Sequence, residues 1–190
     1  MPFAEGEALP RIFNTTFWQR EGFAREGAMK LADRMRDTVR SAHDHKAIMV
    51  DPNELNWIIG LTSMTDPKPC AIDVDSWAIG RFGPKAIMPS IRDWHTKGFS
   101  EMTDWFAWGV VTFQIFTGVH PYRGTLDGYT LKDLEKRMKD GASVFTPGVR
   151  LNNAVRDFST IPTPLLEWYK AAFQKKERSI PPSPFDKGVA

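Results

Sequence analysis

Three side chains in one short stretch carry chemistry that the rest of the chain has to position. Asp51 opens the run Asp51-Pro-Asn-Glu-Leu-Asn56, and Asp73 opens Asp73-Val-Asp75, seventeen residues after Asn56. An Asp, an Asn five positions on, a short apolar run (Trp57, Ile58, Ile59) and a second apolar approach (Ala71, Ile72) to another Asp is the order that phosphoryl transfer uses. One carboxylate takes or orients the proton of the attacking hydroxyl, while an amide oxygen and a second carboxylate hold Mg²⁺, which gathers charge on a triphosphate. Asp51 would be the base, and Asn56 and Asp73 the metal ligands. Asp-Pro and Asn are also common turn formers, so Asp51 and Asn56 by themselves fit plain turn chemistry better. The Asp73 motif and the helix block downstream shift that balance. Asp75 either assists the metal or fixes its loop through backbone hydrogen bonds.

The elements that must hold these residues follow from periodicity. From about Phe23 to Asp44, apolar residues at Phe23, Ala28, Leu31, Ala32, Met35, Val39 and Ala42 fall at helical spacing, with Lys30, Asp33, Arg34, Arg36, Asp37 and Arg40 on the other face. This predicts a long helix delivering the chain to Asp51, with His43 and His45 as a polar cap or surface pair at its end. Ile48 to Val50 and Leu55 to Ile59 read as short buried strands, Ala71 to Val74 as their partner, and Thr62 to Pro69 as a polar hairpin between them. Residues 78 to 100 are a loop by their Gly and Pro content. Glu101 to Thr117 is apolar nearly all round, which predicts a helix buried on every side and ended by Gly118. Its early charge, Asp104, requires hydrogen bonding there. His120, before Pro121, reads as a packing or hydrogen-bonding residue.

Thr130 to Asp140 reads as a solvent-facing helix with a Leu131, Leu134 and Met138 stripe, and Pro164 to Lys176 as a last helix after a loop from Thr146 to Thr163. Residues 1–22 hold turn formers without a sustained period and read as an extended, irregular lead-in. Residues 181–190 read as a flexible tail. The body, residues 23–180, is expected to be mainly α with a small β element carrying the site.

Composition narrows the partners. A 190-residue chain can bury a sizeable core as one domain or two small ones. A formal charge of +2 gives no compositional case for nucleic acid or an anionic membrane as partner. The single cysteine, Cys70, excludes an intrachain disulfide and a cysteine-cluster zinc site. It fits a reducing cytoplasm, and no apolar run approaches the length of a spanning helix.

The run Ala42 to Asn56 resembles the catalytic loop of protein kinases. Asp73-Val-Asp-Ser-Trp77 is similar to the metal motif of bacterial and phage kinase-like proteins, which reads Asp-x-Asp-Ser-aromatic. Asp104 to Gly109 with Gly118-Val-His-Pro-Tyr-Arg-Gly124 resembles the family's central helix and the loop after it, and Ala171 to Pro181 resembles the end of its large lobe. The likeness covers about residues 25 to 182. It implies a kinase-like C-terminal lobe, ATP with Mg²⁺ or Mn²⁺ as cofactor, and a Ser/Thr-type hydroxyl of a protein as acceptor. It assigns Asp51 as catalytic, with Asn53 in the place of the usual catalytic-loop Lys. Asn56 and Asp73 become ligands of metal and nucleotide, and Met1, beside Pro2, falls at the hinge that holds adenine. It also implies that Asp104 holds the backbone of the catalytic loop.

The chain departs from the family pattern in several places. Ser90 follows Pro89 where Glu is usual, so the Glu's ion pair with Arg178 lacks its acid unless Asp93 substitutes. Val50 stands where an Arg is usual, which implies no control by phosphorylation of the 78–100 segment. No Gly-rich phosphate loop or strand lysine precedes residue 23, so the N-terminal lobe is expected to be absent. Three functions remain open: a phosphotransferase lobe completed by a separate small-lobe or regulatory protein, a non-catalytic interaction module, and a small-molecule phosphotransferase.

Overall fold

The computed structural model describes residues 5–80, 83 and 86–187; Met1, expected at a nucleotide hinge, lies outside them. Residues near the N-terminus are not an extended lead-in. β1 (Glu7–Ala8), α1 (Pro10–Phe13) and α2 (Thr15–Glu21) follow one another closely. Pro10 sits in the first turn of α1, where a missing N–H costs nothing. The Asn14 side chain accepts from Thr16 N–H (2.7 Å) to cap α2, and Gly22 ends it at φ 67°. Leu9 and Ile12 are fully buried, which anchors this corner in the core.

α3 (Arg25–Asp44) runs where the apolar spacing predicts it, with Leu31, Ala32, Met35 and Val39 all at 0 % exposure. β2 (Ala47–Ile48), β3 (Trp57–Gly60), β4 (Lys68–Ala71) and β5 (Ala78–Ile79) form two small antiparallel sheets. β3 and β4 pair as a hairpin, Trp57 opposite Ala71 and Gly60 opposite Lys68, with β1 on the other edge of β3. β2 pairs with β5 (Ala47 opposite Ile79), not with the 71–74 stretch the sequence suggests. Of the described residues 44 % are helix and 9 % strand, a mainly helical content with small antiparallel sheets.

α4 (Glu101–Thr117) is the hub, and its predicted ends match the observed ones. The Thr103 hydroxyl accepts from Ser100 N–H at 2.9 Å, closing the first turn, and Gly118 takes the left-handed conformation at its end. Trp105, Phe106, Trp108, Phe113 and Phe116 are all buried, between α3 on one side and α1 and α6 (Thr163–Phe173) on others. Each such side chain withdrawn from water contributes roughly 1.5–3 kcal/mol. The half-buried Arg156 guanidinium satisfies the carbonyls of Phe116 (2.9 Å), Ile115 (2.8 Å) and Phe13 (3.0 Å) and lies over Trp18. A cation at a helix C-terminus complements its dipole, and burial pulls this guanidinium down to about 10.

α5 (Leu134–Asp140) starts later than predicted. The Asp133 carboxylate accepts from the backbone and hydroxyl of Thr130 (2.7 and 2.8 Å), closing a separate turn before the helix, and Leu131 is left exposed. α6 stops at Phe173, short of Lys176. The expected flexible tail is docked as far as Pro184: Arg36 donates to the Pro181 carbonyl (2.9 Å) and the Ser183 hydroxyl to Asp33 (2.7 Å). Pro181 and Pro184 are buried, and prolines that lack an N–H leave no orphan donor there.

Candidate functional site

The Val50–Asn56 loop is held from beneath by one carboxylate. Asp104, fully buried on α4, accepts from Met49 N–H (2.7 Å), Val50 N–H (2.9 Å) and His43 Nε2 (2.9 Å). These three bonds satisfy a charge that would otherwise be expensive in the core. His43 is therefore neither a cap nor a surface residue: it is buried, and its ring stands edge-on to Trp105 at 5.3 Å. Val50, held by Asp104, has φ 65°, an outlying conformation for a β-branched residue.

Asp51 is fixed on three of its polar groups. Its N–H donates to the Met49 carbonyl (2.7 Å), its carbonyl accepts from Asn56 Nδ2 (2.8 Å), and its Oδ1 accepts from Met88 N–H (3.0 Å). Among the described residues Oδ2 has no partner. Asn56 has committed its amide nitrogen to Asp51, which leaves Oδ1 as the end able to ligate a cation. Ile72 N–H donates to the Asn56 carbonyl (3.0 Å), stitching the approach to Asp73 onto the loop. Asp73 turns the chain at φ 58°, and its carbonyl accepts from the Ser76 N–H (3.1 Å) and hydroxyl (2.9 Å).

Asp51, Asp73, Asp75, Ser76 and Ala86 line one cavity of about 270 Å³. Asn53 is not on it. The Asn53 side chain is buried at 4 % exposure and accepts from Leu55 N–H (2.7 Å), capping the 3₁₀ turn Glu54–Asn56. The residue expected in the catalytic set therefore shapes the loop from inside. Three carboxylates around one cavity repel one another and any phosphate unless a cation lies among them. Among the described residues no three His, Cys, Asp or Glu side chains converge to hold a metal alone. A larger groove of about 540 Å³ lies between the end of α3 and Trp77 and Ile79, with Asp37 the one acid among the described residues lining it.

Behind the site, Arg178 binds Asp93 with both arms (Nε to Oδ2 2.6 Å, Nη2 to Oδ1 2.7 Å). Asp93, not Ser90, is thus the residue that pairs with Arg178. Burial alone would raise the Asp93 carboxyl, but the Arg178 bonds and charge hold it below the usual carboxylate range. His120 donates from Nε2 to the Ser90 carbonyl (2.8 Å) and accepts at Nδ1 from Tyr122 N–H (3.2 Å). Both bonds belong to the neutral ring, and burial lowers its pKa to about 4.

The sequence missed the roles of His43 and Arg156. His43 lies four residues after Val39 on the apolar face of α3, a spacing that marks it as inward-facing. No protein-family model matches the chain, and no curated protein matches it. Among the described residues no helix is long and apolar enough to cross a membrane.

Proposed function

We propose that the chain is a kinase-like phosphotransferase lobe that moves a phosphoryl group from ATP to a Ser/Thr-type hydroxyl of a protein. One feature carries the reading: Asp51 and Asp73 border the same cavity, on two loops stitched together through Asn56. Bound Mg²⁺ would neutralise charge developing on the transferred group. Asp73 and the Asn56 Oδ1 are the groups of this chain that would hold it. Asp51, fixed through Oδ1 by Met88, would take the acceptor's proton on Oδ2. Asp104 keeps that oxygen aimed by holding the backbone just before it.

The test is phosphate transfer from ATP with Mg²⁺ to protein substrates, with and without candidate partner proteins. Asp51→Asn lowers the rate about 10²–10⁴-fold, the usual weight of a positioned general base. A rate equal to the parent's refutes the assignment. A second reading, a non-catalytic interaction module, is favoured by the cavity wall: among the described residues lining it none is cationic. On the first reading a partner supplies that charge. Calorimetry separates the two, since the interaction module binds a protein tightly and Mg²⁺-ATP not at all.

A further inference from the structure

Near the segment that holds Asp51, two cations, Arg92 and Lys139, flank one indole. The half-buried Trp94 donates its indole N–H to the Pro89 carbonyl (3.3 Å). The Arg92 guanidinium lies 4.6 Å from its ring centroid and the Lys139 ammonium 4.5 Å. α5 is seated against the 3₁₀ turn Pro89–Ile91, and the Lys139 carbonyl meets both His95 Nε2 (2.9 Å) and Lys176 Nζ (3.2 Å). Arg92 and Lys139 therefore flank one indole, with Lys176 donating to the end of α5.

The nearby carboxylates are mostly committed elsewhere. Asp93 is buried on Arg178, Asp140 accepts from the Tyr129 hydroxyl and Asp133 is folded onto Thr130. Glu135 pairs with Lys139, and among the described residues neither Arg92 nor Lys176 has an ion pair. Each exposed cation–π contact contributes about 0.5–1 kcal/mol, so Lys139 on Trp94 suffices to fasten α5. Arg92 fastens nothing further, and its charge faces solvent.

Arg92 is four residues from Met88, so the two lie within about 14 Å of each other along the chain, and Met88 N–H is bonded to Asp51. An extended peptide covers that span in roughly four residues. We infer that the Arg92, Trp94 and Lys139 platform binds an acidic side chain of the substrate polypeptide, within about four residues of the hydroxyl delivered to Asp51. This rests on the phosphotransferase reading for the fate of the peptide, though not for its binding. Nucleic acid fits less well, because it is tracked by stripes of cations, and here Lys139 is paired with Glu135 while only Arg92 of the two indole cations lacks an ion pair among the described residues.

The experiment is fluorescence anisotropy of a labelled peptide with Ala at the acceptor position and glutamates within four residues of it. A lysine-bearing counterpart and a single-stranded oligonucleotide of equal charge are run beside it. The acidic peptide binds, its binding weakens with added salt, and Arg92→Glu with Lys139→Glu weakens it at least about tenfold. Arg92→Gln alone weakens it about threefold and guards against misfolding, since that side chain accepts and donates no hydrogen bond within the described residues. Binding unchanged by these substitutions, equal binding of the basic peptide, or tighter binding of the oligonucleotide overturns the inference. Because the peptide lacks a hydroxyl, intact docking alongside an ineffective Asp51→Asn would count against the phosphotransferase reading alone.

Discussion

Replacing Asp104 with Asn tests whether α4 is what holds the loop of Asp51. The parent carboxylate accepts three bonds, from Met49 N–H, Val50 N–H and His43 Nε2. A carboxamide has one acceptor oxygen and two N–H groups, so at least one of those donors then faces another donor in a site with no water access. An orphaned buried donor costs about 1–3 kcal/mol, and the surviving bonds lose their charge assistance, worth about 1 kcal/mol more. Asp104→Asn should therefore destabilise the fold by about 3 kcal/mol, lowering Tm by roughly 6–12 °C for a chain of this size. Val50 sharpens the test, because its φ of 65° stores about 1–3 kcal/mol that the Asp104 bond helps to maintain. Urea denaturation of Asp104→Asn, Val50→Gly and the double variant forms a cycle, and the Asn substitution should cost at least about 1 kcal/mol less in the Val50→Gly background. A cost below about 1 kcal/mol, or strictly additive costs, would refute the claim.

Acid should loosen the fold through His120. Its pKa in the fold is about 4, against an ordinary 6.5, lowered first by burial and further by Arg123 and Arg137, with the Ser90 bond opposing. A depressed folded-state pKa contributes stability that is complete above about pH 6.5 and lost as the pH falls to about 4, roughly 3 kcal/mol in all. His120→Gln should flatten denaturation midpoints across that window, and a slope like the parent's would sink the assignment. In α4, an added Cβ at Gly109 would lie 2.7 and 2.8 Å from the Trp168 ring. Gly109→Ala should then destabilise by about 1–2 kcal/mol, overpacking outweighing the helix preference for Ala, whereas a gain of about 1 kcal/mol in thermal melts would show that Trp168 gives way freely.

The long elements were legible because their burial is written into their period. α4 is apolar all round and α3 along one face, and each leaves its mark over four or more turns. α1 and α2 span four and seven residues, too short for a period to emerge, and only Pro10, Asn14 and Gly22 signal them. The tail was misjudged because its partners, Arg36 and Asp33, are some 150 residues away in sequence. That Asp51 and Asp73 border one cavity follows from the short strands that bring their loops together, whereas Asn56 does not line it. The place of Asn53 was not legible, since its amide turns inward to cap the 3₁₀ turn, an orientation that spacing does not reveal.

Strain and support meet at one atom. Four non-glycine residues have positive φ among those described, and two of them, Val50 and Asp73, belong to the two loops of the cavity. Such conformations persist only where the surroundings over-determine them. Here the surroundings are explicit: Asp104 grips the backbone at Val50, and the Ser76 N–H and hydroxyl grip the Asp73 carbonyl. Relaxing either residue to an ordinary conformation would redirect the chain into Asp51 or away from Asn56. The N–H, carbonyl and Oδ1 of Asp51 are each bonded, by Met49, Asn56 and Met88. On the proposed phosphotransferase reading, Oδ2, which has no partner among the described residues, is the oxygen that would accept a proton, and the bonds to the other three groups would keep it in position.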